Sequence, residues 1–258
     1  MLIYPDINPV AISVGPLVVH WYGVMYLIAF ISGGMLGLYR TRKADVDWTS
    51  SQVWDLVFYV AIGAVVGGRL GYVVFYNPGY YFLHPVELLS VWSGGMSFHG
   101  GLIGVSIAVL LFARRFSKNF LSVADFLAPL CAPGLCAGRI GNFINQELWG
   151  RVSDSPWAMV FPAAGSLPRH PSQLYEAGLE GVVLFLLIWV YSARPRSLGR
   201  VSGLFLVAYA VMRFAVEFFR EPDAHLGLLW FQLSMGQLLS IAMLVAGFVL
   251  IAYAHKKK

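Results

Sequence analysis

Charge is what this chain has least of. Of its 258 residues only 12% are Asp, Glu, Lys or Arg, and 58% are apolar; soluble domains carry about twice that charged share. So few charges cannot cover the surface of a water-soluble protein of this size, which excludes a soluble globular domain, a disordered chain and a nucleic-acid binder. A mean hydropathy of +0.69 agrees. Cysteine is scarce too. Cys131 and Cys136 stand five apart in an apolar stretch, neither a metal pair nor a Cys-x-x-Cys motif, so no zinc or redox chemistry and no cofactor is implied. No basic residue precedes Arg40, so the charged n-region of a cleavable signal peptide is missing. Also missing are the Gly-x-Ser-x-Gly elbow, the His-Glu-x-x-His helix and the phosphate loop. If the chain is an enzyme, its nucleophile comes from a substrate.

Long apolar runs, by contrast, are plentiful. Segments near 14–39, 53–76, 97–113, 120–138, 173–191, 201–219 and 228–254 read as transmembrane helices, each close to the roughly 17–25 residues a crossing requires. The third is short, and the fourth is broken by Pro129, Pro133 and Gly134. Twelve of the eighteen basic residues fall in four clusters: Arg40, Arg42 and Lys43; Arg114, Arg115 and Lys118; Arg194, Arg196 and Arg200; Lys256, Lys257 and Lys258. They follow spans one, three, five and seven, so the positive-inside rule puts those connections in the cytoplasm. The expected fold is an all-α integral membrane protein, a seven-transmembrane-helix bundle with its N-terminus outside and its C-terminus cytoplasmic. The chain then forms a single transmembrane domain, residues 1–258, with an outer (periplasmic) cap at 139–172. Glycines at helical spacing (Gly63, Gly67, Gly71; Gly33, Gly37; Gly100, Gly104) mark close helix approaches.

Arg69, Arg139, Arg151, Arg169, Arg213 and Arg220 lie in spans or on the outer side and need another explanation, because an ionisable residue at membrane depth is costly. Tyr209, Arg213, Glu217 and Arg220 share one face about 80° wide at 100° per residue. Arg213 and Glu217 are spaced to bridge, but one glutamate cannot neutralise two arginines, and an uncompensated arginine points to an anionic ligand. A purely structural ion pair is the competing reading. Arg139 and Asn142 sit three apart beside Gly138 and Gly141, with Asn145 close by and Glu147 placed to pair with Arg139 or Arg151. His99 opens the third span ahead of two glycines. It reads either as a hydrogen-bonded interface residue or as a base, its ordinary pKa lying near 6.5. His20-Trp21-Tyr22 opens the first span, where the aromatics also suit an interfacial belt.

Several stretches together resemble the prolipoprotein diacylglyceryl transferase family: His20-Trp21-Tyr22-Gly23, Gly67-Gly68-Arg69-Leu70-Gly71-Tyr72, Gly94 through Gly104, Gly138-Arg139-Ile140-Gly141-Asn142-Phe143-Ile144-Asn145, Arg169 through Glu176, and Arg213-Phe214 with Glu217 through Arg220. The resemblance implies a bacterial inner-membrane transferase with its active site on the periplasmic side, acting in lipoprotein biosynthesis. It moves the diacylglyceryl group of phosphatidylglycerol onto the lipobox cysteine of a prolipoprotein signal peptide. A thioether forms and glycerol phosphate leaves. Partners are membrane lipids and the prolipoprotein, with no nucleic acid and no metal. Carried over by position, Arg139 and Arg213 bind the phosphate and Asn142 bonds the headgroup. His99 is the base or a headgroup-orienting residue, and Tyr22 and Tyr209 line the site. Glu147 and Glu217 fix the arginines, and Asn145 and Gly150 contact substrate. Arg69, Arg220 and Glu176 are structural. The stretch between Arg151 and Arg169 is short for such a cap. Without the resemblance, a transporter or channel for a small anion fits the same arginines; it is disfavoured by the lack of a sequence repeat and of paired broken helices.

Overall fold

The computed structural model describes residues 2–15, 17–42, 47–90, 94–222 and 227–256. Lys43, Lys257 and Lys258 of the basic clusters lie outside them. The element order is β1 (Leu2–Ile3), β2 (Val10–Val14), β3 (Leu17–His20), α1 (Trp21–Thr41), α2 (Ser50–Tyr76), α3 (Pro78–Leu83), α4 (Phe98–Arg115), α5 (Phe120–Ile144), β4 (Met159–Val160), β5 (Pro168–Arg169), α6 (Ser172–Glu176), a π-helical stretch Ala177–Val183, α7 (Leu184–Tyr191), α8 (Arg200–Val216) and α9 (Met235–Lys256). The protein is mostly helical, not all-α. Among the described residues six helices are long and apolar enough to cross a membrane: α1, α2, α4, α5, the continuous run Ser172–Tyr191, and α9. α8 has 17 residues, one fewer than α4.

Three boundaries differ from expectation. The first helix starts at Trp21, because Val10–Val14 and Leu17–His20 pair as the antiparallel strands β2 and β3. The last starts at Met235 rather than 228. Ser234 caps it reciprocally with Gln237: Ser234 Oγ accepts from Gln237 N at 3.1 Å and Gln237 Oε1 from Ser234 N at 3.0 Å, a capping box that sets the first turn. The fourth is not broken. α5 runs 25 residues through Pro129 and Pro133 to Ile144, as membrane helices tolerate when neighbouring groups re-satisfy the freed carbonyls.

The chain divides into two compact units, Gly37–Ala124, and Met1–Leu36 with Asp125–Lys258. In the first, α2 and α4 pack along their glycines. A methyl group on Gly71 would lie 2.6 Å from the Gly100 Cα, and one on Gly63 would lie 2.7 Å from the Gly104 carbonyl oxygen; nothing larger than hydrogen fits. Thr49 and Gln52 close a capping box at the start of α2, and Ser97 caps α4 by accepting from Gly100 N at 3.2 Å. At the opposite end of α4, Lys118 pairs with Asp47 at 3.4 Å and lies over Trp48.

In the second unit, α5, α7 and α8 share a core of Ala128, Ala132, Leu184, Ile188, Val201 and Ala208. Asp125 of α5 caps α8 from outside, accepting from Gly199 N at 2.7 Å and Ser202 N at 2.8 Å, so its charge meets the positive end of the helix dipole. α8 and α9 touch backbone to backbone at Gly203 and Gly247. The segment between α5 and α6 folds back on itself. β1 pairs parallel with β4, and β4 pairs antiparallel with β5. Tyr4, Met159 and Phe161 form a small core there, and Tyr4 OH donates to the Ile144 carbonyl at 2.9 Å. Residues 139–144 of the expected cap are the last turns of α5.

Candidate functional site

The π-helical stretch begins one residue after Glu176 and contains Glu180. Gly181 brings it against α5: a methyl group there would lie 2.8 Å from the Cys136 Cα. Both carboxylates are thereby delivered to Arg139 of α5 and Arg213 of α8. Arg139 Nε meets Glu176 Oε2 at 2.6 Å, and its Nη2 meets Glu180 Oε2 at 3.4 Å. Arg213 Nη1 meets Glu176 Oε1 at 3.0 Å and Glu180 Oε1 at 3.4 Å, while its Nη2 binds Glu217. Arg220 reaches Glu217 Oε1 at 3.6 Å, and Ser234 Oγ donates to Glu217 Oε2 at 2.5 Å. A side chain on Gly236 would overlap that carboxylate at 2.6 Å. Glu176 and Glu180 are buried outright. Arg139, 18% exposed, keeps its Nη1 outside these pairs.

Three arginines therefore face three glutamates. The expectation of uncompensated arginine on the span-six face is overturned, because neighbouring helices supply the two carboxylates that α8 lacks. The structure also brings Glu176 to the centre of the cluster. Glu180 was missed by sequence reasoning, although two glutamates four apart inside a span are as conspicuous as the arginines.

Glu147 takes a different place from the one expected. Among the described residues it pairs with neither Arg139 nor Arg151, because the chain turns at Gln146 and Leu148, both at positive φ (53° and 56°). Its carboxylate instead accepts from Asn142 Nδ2 at 3.4 Å and Asn145 Nδ2 at 3.3 Å, and Gln173 Nε2 donates to its carbonyl at 2.6 Å. Asn142 is buried on α5, and Asn145 Oδ1 is a buried acceptor with no partner among the described residues.

Gly150 is locked between two backbones. Its N–H donates to the His170 carbonyl at 2.9 Å, and a methyl group there would lie 2.5 Å from that oxygen and 2.6 Å from the Phe219 oxygen. Arg169 Nη1 holds the Gly150 carbonyl at 3.1 Å, and Arg151 Nε donates to Arg220 O at 2.9 Å. The His170 imidazole sits edge-on to Phe219 at 5.2 Å, and burial lowers its pKa. Tyr22 lies beside Gly141 of α5 and 5.2 Å from Tyr26. Tyr209 is in the field of Glu180, Arg139 and Arg213. His99 belongs to the other unit, exposed on the first turn of α4.

Ion pairs buried within helices that otherwise show lipid-soluble faces define a multi-pass membrane protein with a polar intramembrane centre. The family model for prolipoprotein diacylglyceryl transferase matches residues 9–253. The phosphatidylglycerol–prolipoprotein diacylglyceryl transferase of Legionella pneumophila (strain Lens) is 56% identical over 248 residues, covering 96% of this chain and 97% of that protein. The protein of that name from Pseudomonas aeruginosa (strain UCBPP-PA14) is 55% identical over 258 residues, covering 100% and 97%. The chain belongs to the prolipoprotein diacylglyceryl transferase family. It is a membrane transferase of lipoprotein maturation.

Proposed function

We propose that the donor is phosphatidylglycerol and the acceptor is the lipobox cysteine of a prolipoprotein signal peptide. The cysteine sulfur attacks the glyceryl carbon next to the phosphate. A C–S bond forms, the C–O bond breaks, and the electron pair leaves on glycerol phosphate. The thiol proton goes to His99, or to solvent where His99 only orients the headgroup. The observation that carries the reading is the pair of guanidinium groups from α5 and α8, held side by side by the shared carboxylates of Glu176 and Glu180. An arginine fork binds phosphate through parallel charge-assisted hydrogen bonds. Charge rising on the leaving phosphate strengthens those bonds toward the transition state. Because the cluster is neutral in sum, orientation rather than excess charge does the selecting, with Arg139 Nη1 as the donor to spare.

Around this pair, Asn142 donates to the headgroup, the Asn145 carbonyl accepts from a headgroup hydroxyl, and Tyr22 and Tyr209 line the site. Glu147 orients the two asparagines, Glu217 fixes Arg213, and Gly150 contacts substrate. The chain acts as one catalytic domain, with the cap confined to the stretch between the end of α5 at Ile144 and the start of α6 at Ser172. α8 is a seventh span in a bacterial inner membrane, the N-terminus and the site being periplasmic and the C-terminus cytoplasmic.

The test is turnover of labelled phosphatidylglycerol with a lipobox peptide, read as thioether product. Arg139→Lys and Arg213→Lys keep the charge and lose the fork. Each should fall by about 10²-fold, the size expected for one transition-state donor. Near-normal turnover in either variant would remove that residue from the phosphate clamp.

A further inference from the structure

The described part of the connection between α2 and α4 carries a row of bare apolar side chains: Phe82 is 87% exposed, Leu83 74%, Val86 80% and Leu89 75%. Its polar groups satisfy one another. Tyr80 OH donates to Glu87 Oε2 at 2.8 Å, and the His84 ring stacks on Tyr80.

Arg69 holds this connection in place. Its side chain is buried, and its partners here are backbone carbonyls: Nε donates to Leu88 O at 3.1 Å, Nη2 to Glu87 O at 2.6 Å, and Nη1 to Gly94 O at 2.7 Å and Gly95 O at 3.3 Å. Tyr81 lies under the guanidinium at 5.1 Å. Gly94 and Gly95 both have positive φ, 83° and 73°, which turns their carbonyls toward the arginine. A methyl group on Gly95 would also run into the Tyr72 ring at 2.6 Å.

The helices give the level at which this happens. At 1.5 Å per residue, Arg69 stands about 29 Å along α2 from Ser50, roughly one hydrocarbon thickness. Ser97 N donates to Gly68 O at 2.8 Å, so α4 begins at the same level. α2 continues seven residues further, to Tyr76, and the chain then folds back down to Arg69. The bare apolar row is thus drawn back to the membrane boundary, not projected away from it.

We infer that residues 77–90 form a membrane-surface anchor, stapled by Arg69, whose Phe82, Leu83, Val86 and Leu89 enter the acyl chains of the adjacent leaflet. The occupant is lipid. Flanking membrane spans fix the segment's level, and the two ionisable side chains among the four apolar ones are held on Tyr80, Glu87 by its hydroxyl and His84 by its ring.

The experiment uses the full-length protein with Cys131→Ala and Cys136→Ala in nanodiscs of phosphatidylcholine and phosphatidylglycerol. Spin labels are attached through Phe82→Cys, Leu89→Cys or, as a lipid-facing reference, Ile107→Cys. Labels at 82 and 89 should collide with oxygen several-fold more than with a water-soluble nickel chelate, as the label at 107 does. Equal nickel access would place the segment in water, and low access to both reagents would mean that protein covers it; either overturns the anchor. Arg69→Gln should sharpen the spectrum of the label at 82 and leave that at 107 unchanged. An unaltered line at 82 would overturn the staple.

Discussion

Glu180 shows what a single carboxylate does in this protein. Buried and shared between Arg139 and Arg213, it allows two like charges to stand together inside a membrane span. Removing one member of a buried pair leaves an uncompensated charge at a cost of about 3–5 kcal/mol. Glu180→Gln should therefore lower the melting midpoint in detergent and reduce turnover, with Glu180→Asp recovering part of both. An unchanged midpoint would show that the other two glutamates suffice. For His99 the informative measurement is a pH profile from 6 to 9. If it takes the thiol proton, His99→Gln should lose about 10²–10⁴-fold near neutrality and regain rate as the thiol ionises near its ordinary pKa of about 8.5. Parallel profiles with a small offset would leave His99 an orienting role only. The arginines could be found in the sequence because a charge in an apolar run stands out without any structure. Their partners could not be matched in the same way: pairing across helices depends on which faces meet, and Glu217 alone shared a helix with Arg213. The turn at Gln146 and Leu148, which diverts Glu147 toward the asparagines, rests on two non-glycine residues at positive φ, a conformation their side chains do not announce.

Helices were legible as apolar runs, and their ends were legible only where the capping chemistry was noticed. Ser234 and Gln237 carry the capping-box spacing in plain view, yet the apolar stretch begins six residues before Ser234 and masks it. Ser234 has two tasks, since it caps α9 and donates to Glu217. Ser234→Ala should cost about 1 kcal/mol through the cap, together with a loss of turnover through Glu217. Ser234→Thr should retain both; a fall in stability with full activity would separate the cap from the site. The π-helical stretch had no sequence signature at all. It depends on α5 at Cys136 accepting the close approach of Gly181, and such bulges often mark functional positions. Glycine spacing marked α2 and α4 for close helix approach without saying which helices meet, and the two pack on each other at those glycines.

At the scale of the whole molecule the basic clusters set the expected sidedness. In a chain lacking Cys131 and Cys136, Ser153→Cys should react with an impermeant thiol reagent added outside intact cells, and Ser197→Cys should react only after permeabilisation. The reverse pattern would invert the topology. The two-residue strands β1, β4 and β5 escaped the sequence reading because so short a ladder carries no periodicity. One of them bears on how the protein is made. Leu2 and Ile3 leave the ribosome long before their partners Met159 and Val160, which emerge only after α5 has been synthesised. β1 must therefore wait, unpaired, while several helices enter the bilayer, and such distant parallel pairing is slow to form. Closure of the fold around Tyr4 is then a late event in biogenesis, and a chain halted before β4 would carry its helices without that clasp.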